Sequence, residues 1–215
     1  MVHYKLTYFD ARGLGEAIRL IFKYANIEFE DIRFDAKDWP KIKPTTPAGK
    51  VPILEFDGNY LVESAAICRY LARKHGLAGK GDLEEAKVDA IVDQNKDFHF
   101  LVAQWIRVKY GMENGNEKEM KEKIVIPQSE IYLPLYQKYL KESGSGFLVK
   151  SGLTFADFIV SEFLITLRLN APEIIEKYPE ILQYLGRMKN IPQLKEYYAT
   201  RKEEFNKKCA YDNRK

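Results

Sequence analysis

Tyr8 closes a short alternating run, Tyr4-Lys5-Leu6-Thr7-Tyr8-Phe9, and Arg12-Gly13-Leu14-Gly15 follows before a helical pattern begins. A phenol is thereby expected where a strand meets a helix. An ordinary phenol, with a pKa near 10, stays protonated at neutral pH and can donate to a thiolate. A free thiol of pKa about 8.5 is only ~3% ionised at pH 7; lowering it by about two units, or ~2.7 kcal/mol, makes most of it nucleophilic. One charge-assisted hydrogen bond supplies much of that.

Two further groups fit the same thiol-bearing ligand. In Lys50-Val51-Pro52-Ile53-Leu54, a proline at the start of a strand marks a sheet edge, because it cannot donate into a ladder. The N–H and C=O of Val51 are then placed to pair with an extended, peptide-like ligand, and a cis bond to Pro52 would hold them so. In Glu63-Ser64, a serine opens a helix whose first amides favour a carboxylate. Glu63 suits an ammonium group, so an α-amino acid end carrying both charges matches the pair.

The elements that must position these residues follow from periodicity. Ala17, Ile18, Ile21, Phe22 and Ala25 share one face of a helix expected over residues 15–24. A strand is expected over 29–34, and the prolines and glycine of Asp38-Trp39-Pro40 and Pro44-Thr45-Thr46-Pro47-Ala48-Gly49 predict a long loop. Residues 51–56 and 60–62, joined through Asp57-Gly58-Asn59, read as a tight hairpin, and a helix is expected over 64–74 up to Gly76. This βαβ-ββα order gives a four-stranded mixed sheet backed by helices.

From Leu83 onward almost every segment has helical period. Val88, Ile91, Val92, Phe98, Leu101, Val102 and Trp105 mark a long helix, and a second runs through Ile131, Leu135 and Tyr139 with bends expected at Pro127 and Pro134. Thr154-Phe155-Ala156-Asp157 is a capping box ahead of an apolar helix; losing it typically costs about 0.5–2 kcal/mol. The fold class expected is α/β plus all-α, with one domain over residues 1–78 and an all-helical one over 82–215.

Bulk properties narrow the function classes. The 34 Lys and Arg against 31 Asp and Glu leave a formal charge of +3 that is spread rather than clustered, which disfavours nucleic acid. Apolar residues make up 46% of the chain, yet no apolar run approaches the roughly 18 residues of a membrane span. The chain opens on strand-like alternation rather than a signal peptide, so a cytoplasmic protein is expected. Cys68 and Cys209 have neither CxxC spacing nor a disulfide framework, and read as a core and a surface thiol. The charged residues 202–215 are expected to be partly disordered.

Together these motifs, with Arg69-Tyr70-Leu71, Val88-Asp89-Ala90-Ile91-Val92-Asp93 and Thr154-Phe155-Ala156-Asp157-Phe158, make a chain that resembles the cytosolic glutathione transferases over nearly its whole length. It most resembles the sigma class, with a nematode-like cast, a class that includes glutathione-dependent prostaglandin D synthases. The resemblance implies a thioredoxin-like N-terminal domain that binds glutathione as co-substrate, a helical domain forming most of the electrophile pocket, no prosthetic group, and a detoxification role. Carried over by position, Tyr8 is the thiolate-stabilising phenol, and Trp39 and Lys43 hold the glycyl end. Lys50, Val51 and Pro52 meet the cysteinyl segment. Glu63 and Ser64 hold the γ-glutamyl end, helped by Asp97 of a second subunit, which implies a homodimer.

Departures from the pattern qualify this. Leu14 stands where several sigma-class members carry an arginine, Glu63 where glutamine is common, and Lys96 interrupts an acidic cluster that binds divalent metal in prostaglandin D synthases, leaving Asp93 and Asp97. No metal is expected. Phe9, Leu14, Trp105 and Tyr110 are candidates for the hydrophobic pocket. Three activities stay open: conjugation of glutathione to hydrophobic electrophiles, isomerisation of prostaglandin H to prostaglandin D, and non-catalytic carriage of haem or other hydrophobic ligands.

Overall fold

The structure is a computed structural model and describes residues 2–201. The expectations for Cys209 and for residues 202–215 lie outside the described residues. The chain divides into two compact units, one of residues 2–75 together with the segment from Pro192, the other of residues 76–191.

The first unit is a four-stranded mixed sheet with helices. β1 (Tyr4–Phe9), α1 (Glu16–Tyr24) and β2 (Phe29–Phe34) form the βαβ half. A short α2 (Trp39–Ile42) follows, then the hairpin of β3 (Ile53–Phe56) and β4 (Asn59–Val62), then α3 (Ser64–Lys74). The strand order is β2-β1-β3-β4, with β1 parallel to β2 and the remaining pairs antiparallel. The hairpin turns through Asp57 (φ 46°) and Gly58 (φ 75°), the two positive φ values of a type I′ turn. Leu6, Ile18, Leu20, Ile21, Phe22, Leu54, Ile67 and Leu71 are fully buried between sheet and helices. Residues 36–45, expected as loop, contain three short helical turns. Pro40 and Pro44 each sit in the first residues of such a turn, where a missing N–H costs no hydrogen bond.

The second unit is all helical among its described residues: α4 (Asp82–Lys109), α5 (Glu117–Met120), α6 (Ile126–Ser143), α7 (Phe155–Asn170), α8 (Pro172–Ile175) and α9 (Pro179–Lys189). A wide π turn over Lys121–Val125 joins α5 to α6 immediately before Pro127, the residue that cannot donate back into the helix. α7 is buried on nearly every face, and its buried residues include Asp157, Ser161, Glu162 and Asn170 among the apolar ones.

Asp157 is completely buried. One of its carboxylate oxygens accepts from the Thr154 N–H (2.8 Å) and hydroxyl (3.0 Å), the other from the Leu148 N–H (3.0 Å) and the Tyr184 hydroxyl (3.2 Å). The expected capping box is therefore also a tie between α7, α9 and the segment before α7.

The segment that carries α10 (Lys195–Thr200) is expected from the sequence within the helical domain, but it groups with the first unit. The reason is a set of bonds to α1: the Tyr197 hydroxyl and Arg201 Nη1 each donate to Glu16 Oε1 at 2.9 Å.

Candidate active site

Topology brings most of the expected site to one end of the sheet. The C-terminal ends of β1 and β2 lie side by side because those strands are parallel, with Tyr8 opposite Arg33. β3 runs the other way, and its first ladder pairs are Thr7 with Ile53 and Ile53 with Val62. Continuing that register sets Pro52 and Val51 beside the Tyr8–Phe9 end, and Glu63 and Ser64 just past β4 at the same end. The segment carrying Trp39 and Lys43 leaves from the end of β2.

Tyr8 is 8% exposed. Its hydroxyl oxygen accepts from the Leu14 N–H at 3.0 Å. That bond anchors the phenol oxygen and polarises the O–H. Two glycines make room: a Cβ at Gly13 would lie 2.6 Å from Tyr8 Oη, and one at Gly15 would lie 2.6 Å from Tyr8 Cδ1. Gly13 also has φ +40°, a backbone that L side chains rarely adopt.

Beneath the ring lies Arg19, fully buried, its guanidinium carbon 5.8 Å from the Tyr8 ring centre. Its N–H groups donate to the carbonyls of Ala11 (2.7 Å) and Phe9 (3.3 Å), to Glu16 Oε2 (3.0 Å) and to both oxygens of Asp31 (3.1 Å). The turn that carries Tyr8 is therefore pinned by one rigid fork.

Val51–Pro52 is a cis peptide bond, and Val51 precedes the β3 ladder. Glu63 has φ 66° and ψ 110°. For a residue with a Cβ this is a strained conformation, and such strain clusters at functional sites. The first amide of α3 paired within the helix is that of Ile67, to the Glu63 carbonyl at 3.0 Å, so the amides of Ser64, Ala65 and Ala66 form an ordinary helix-start anion site. Lys50 Nζ approaches Glu63 Oε1 at 3.9 Å with both side chains exposed, a pair worth little by itself. Trp39 is half-buried, stacks with Phe34 at a centroid distance of 6.0 Å and meets Phe9 at a tilt at 5.5 Å. Lys43 is exposed.

Leu14 presents 45% of its surface, and half-buried Phe9 packs edge-on to Tyr8 at 5.6 Å. In the second unit Tyr110 is half-buried at the end of α4, and Asp97 is exposed on that helix. Trp105, expected in an apolar pocket wall, is instead fully buried in its unit. Its indole N–H donates to Glu117 Oε1 at 3.2 Å, and Lys109 and Lys121 stand 5.0 and 5.9 Å from its ring centre. With its one polar atom satisfied inside the unit, it is a core side chain.

An open groove of about 410 Å³ along β4 and α3, lined by Leu61, Ala66, Arg69, Tyr70, Arg73 and Lys74, shares no residue with the expected glutathione-binding set. Arg19, Glu16 and the two glycines were not singled out from the sequence. An i,i+3 acid–base pair on the apolar face of α1, Glu16 and Arg19, was the one local sign of them.

The N-terminal domain family of the glutathione S-transferases matches residues 4–73, and their C-terminal domain family matches residues 97–201. The chain belongs to the glutathione S-transferases. Glutathione S-transferase 1 of Ascaris suum is 42% identical over 201 residues, covering 94% of this chain and 98% of the relative. Among solved structures, monomeric Na-GST-3, a glutathione S-transferase of Necator americanus, is 42% identical with TM-score 0.88, covering 95% of this chain and 100% of that one. A Nu-class transferase of Haemonchus contortus is 40% identical with TM-score 0.85, over 96% and 100% of the two chains. A prostaglandin synthase D of Nilaparvata lugens is 34% identical with TM-score 0.82, over 93% and 98%. The protein is an enzyme of this family, with glutathione as co-substrate. No described helix is long and apolar enough to cross a membrane.

Proposed function

We propose that Tyr8 donates its phenolic hydrogen to the thiol sulfur of bound glutathione, holds it as thiolate, and so drives its addition to hydrophobic electrophiles. The observation that carries this is the Leu14 N–H to Tyr8 Oη bond: an amide donating to the phenol oxygen polarises its O–H and strengthens it as a donor. Trp39 and Lys43 take the glycyl carboxylate. Lys50 and the Val51 backbone, ahead of Pro52, take the cysteinyl segment. Glu63 and Ser64 take the γ-glutamyl end, with the free α3 amides receiving its carboxylate. Leu14 and Phe9, beside the phenol, give the electrophile an apolar surface.

The enzyme acts as a cytoplasmic homodimer in detoxification, with Asp97 of a second copy reaching the γ-glutamyl ammonium. The motifs of residues 4–12 and 49–54 support a sigma-type enzyme, although one close relative bears the Nu-class name. Another is described as monomeric, so sedimentation decides the dimer: a monomer at micromolar concentration removes Asp97 from the site.

Glutathione addition to an activated aryl halide tests the function. Tyr8→Phe is expected to lower the rate tenfold or more, about 1.4 kcal/mol in barrier, with glutathione binding retained. A parent rate no higher than buffer would end the transferase reading in favour of ligand carriage. The prostaglandin synthase D among the relatives favours a second reading, isomerisation of prostaglandin H by the same thiolate; product analysis with that endoperoxide separates the two.

A further inference from the structure

The charged network beneath Tyr8 does not stop at α1. Glu16 is buried, and its two oxygens face opposite ways. Oε2 accepts from Arg19 Nη1 at 3.0 Å; Oε1 accepts from both the Tyr197 hydroxyl and Arg201 Nη1 at 2.9 Å. The Arg19, Glu16 and Arg201 side chains are 0%, 2% and 4% exposed. Burial, then the Glu16 charge, raises the Tyr197 phenol above the ordinary tyrosine range, so it donates throughout neutral pH. The Arg201 guanidinium also lies 4.2 Å from the Tyr198 ring centre, which fixes it from the other side.

We propose that Arg201 and Tyr197, at the far end of the described chain, are positioning residues for the Tyr8 phenol, acting through Glu16 and Arg19. The inference rests on the reading of Tyr8 as the thiolate-stabilising group. Arg19 is planar and must satisfy the carbonyls of Phe9 and Ala11 in one orientation. That orientation depends on where Glu16 and Asp31 hold its other N–H groups. With Arg201 removed, Glu16 keeps one neutral donor on Oε1 and its charge bears on Arg19 alone. The carboxylate then turns toward Arg19, the fork turns with it, and the Phe9–Ala11 turn moves beneath Tyr8. Small displacements suffice, because a misplacement of about 1 Å can cost on the order of 100-fold in rate.

The test uses the full-length protein in the aryl halide assay, with kcat and the glutathione KM measured separately in the parent and Tyr8→Phe backgrounds. Arg201→Gln is expected to lower kcat about tenfold with KM changed less than about twofold, because the interaction is lost in the transition state rather than in binding. Arg201→Lys, which keeps the charge, recovers at least half of the logarithmic loss, and Tyr197→Phe lowers kcat about threefold. In the Tyr8→Phe background Arg201→Gln costs less than about twofold more, the non-additivity of residues acting as one unit.

Three results overturn the proposal: a folded Arg201→Gln enzyme with parental kcat, a loss seen in KM alone, or an equal loss with and without Tyr8. If Arg201→Gln does not fold, Tyr197→Phe decides, since it removes one hydrogen bond and no charge; parental kcat there overturns it too. Parental activity in Tyr8→Phe itself marks failure of the underlying Tyr8 reading, whereas a defective Tyr8→Phe beside a parental Arg201→Gln marks failure of this inference alone.

Discussion

Each unit contains a buried carboxylate that ties distant segments together, and the two are built from opposite materials. Asp157 is met by neutral donors: two amides and the hydroxyls of Thr154 and Tyr184. Burial raises it to about 6, against the pull of those hydrogen bonds. Glu16 is met by two guanidinium groups and a phenol. A neutral hub joins helices whose packing must simply hold. A charged hub lies under a tyrosine whose position decides chemistry, and a buried ion network tolerates few geometries. Stability and activity should therefore separate between the units.

Arg19→Met is expected to have the largest effect, since it leaves Glu16 and Asp31 short of a cation: about 3–5 kcal/mol of stability, with loss of kcat in whatever protein remains folded. Denaturant unfolding and kcat per folded molecule measure both. Asp157→Ala should cost about 3 kcal/mol, more than an isolated cap, because the buried amides of Leu148 and Thr154 both lose their acceptor, while the Tyr184 hydroxyl keeps the residue 157 carbonyl at 3.1 Å. Here kcat per folded molecule should stay within about twofold of the parent; a parallel fall would erase the contrast between the hubs.

Gly15→Ala tests the space around Tyr8 without touching either hub. Its backbone, at φ −80°, accepts alanine, so only the 2.6 Å approach to the ring acts. A tenfold or greater fall in kcat, about 1.4 kcal/mol, is expected alongside about 1–3 kcal/mol of overpacking cost.

The smallest effect is a pH slope in the second unit. Burial, then the nearby Arg107 charge, lowers His99 to about 4 from 6.5, and its ring packs on Phe163 at 5.2 Å. A depressed folded pKa contributes stability that is present above 6.5 and lost as pH falls toward 4. His99→Gln should therefore remove up to about 1.4 kcal/mol per pH unit from the acid-side slope within that window. The Asp157 contribution has the opposite sign: its raised folded pKa gives stability lost as pH rises from 3.8 to about 6, so only the comparison of variant with parent isolates His99.

Local patterns were legible in the sequence where the physics is local. The helical face of residues 17–25, the Asp57-Gly58 turn, the cis Val51–Pro52 bond and the Thr154–Asp157 box each lie within a few residues, and each forms; the expected sheet edge at Pro52 does not, because β3 lies between β1 and β4. The βαβ-ββα order then suffices to gather Tyr8, Val51, Pro52, Glu63 and Ser64 at one sheet end. What could not be read depends on pairs far apart in the chain. Gly13 and Gly15 look like turn residues until the Tyr8 ring lies against them. Arg19 looks like one more surface cation until its neighbours on every side are buried. The return of Tyr197 and Arg201 to Glu16 has no counterpart in any local pattern. Trp105 sits on a helical face compatible with either core or pocket, and Glu117, beyond an intervening loop, decides between them.

The most direct measurement is the ultraviolet absorbance of thiolate in the glutathione complex, titrated with pH in the parent and in Tyr8→Phe. A thiol pKa in the parent about two units below that of free glutathione, rising by at least one unit in Tyr8→Phe with glutathione still bound, is the predicted result. The same titration curve for both proteins would contradict the assignment of Tyr8.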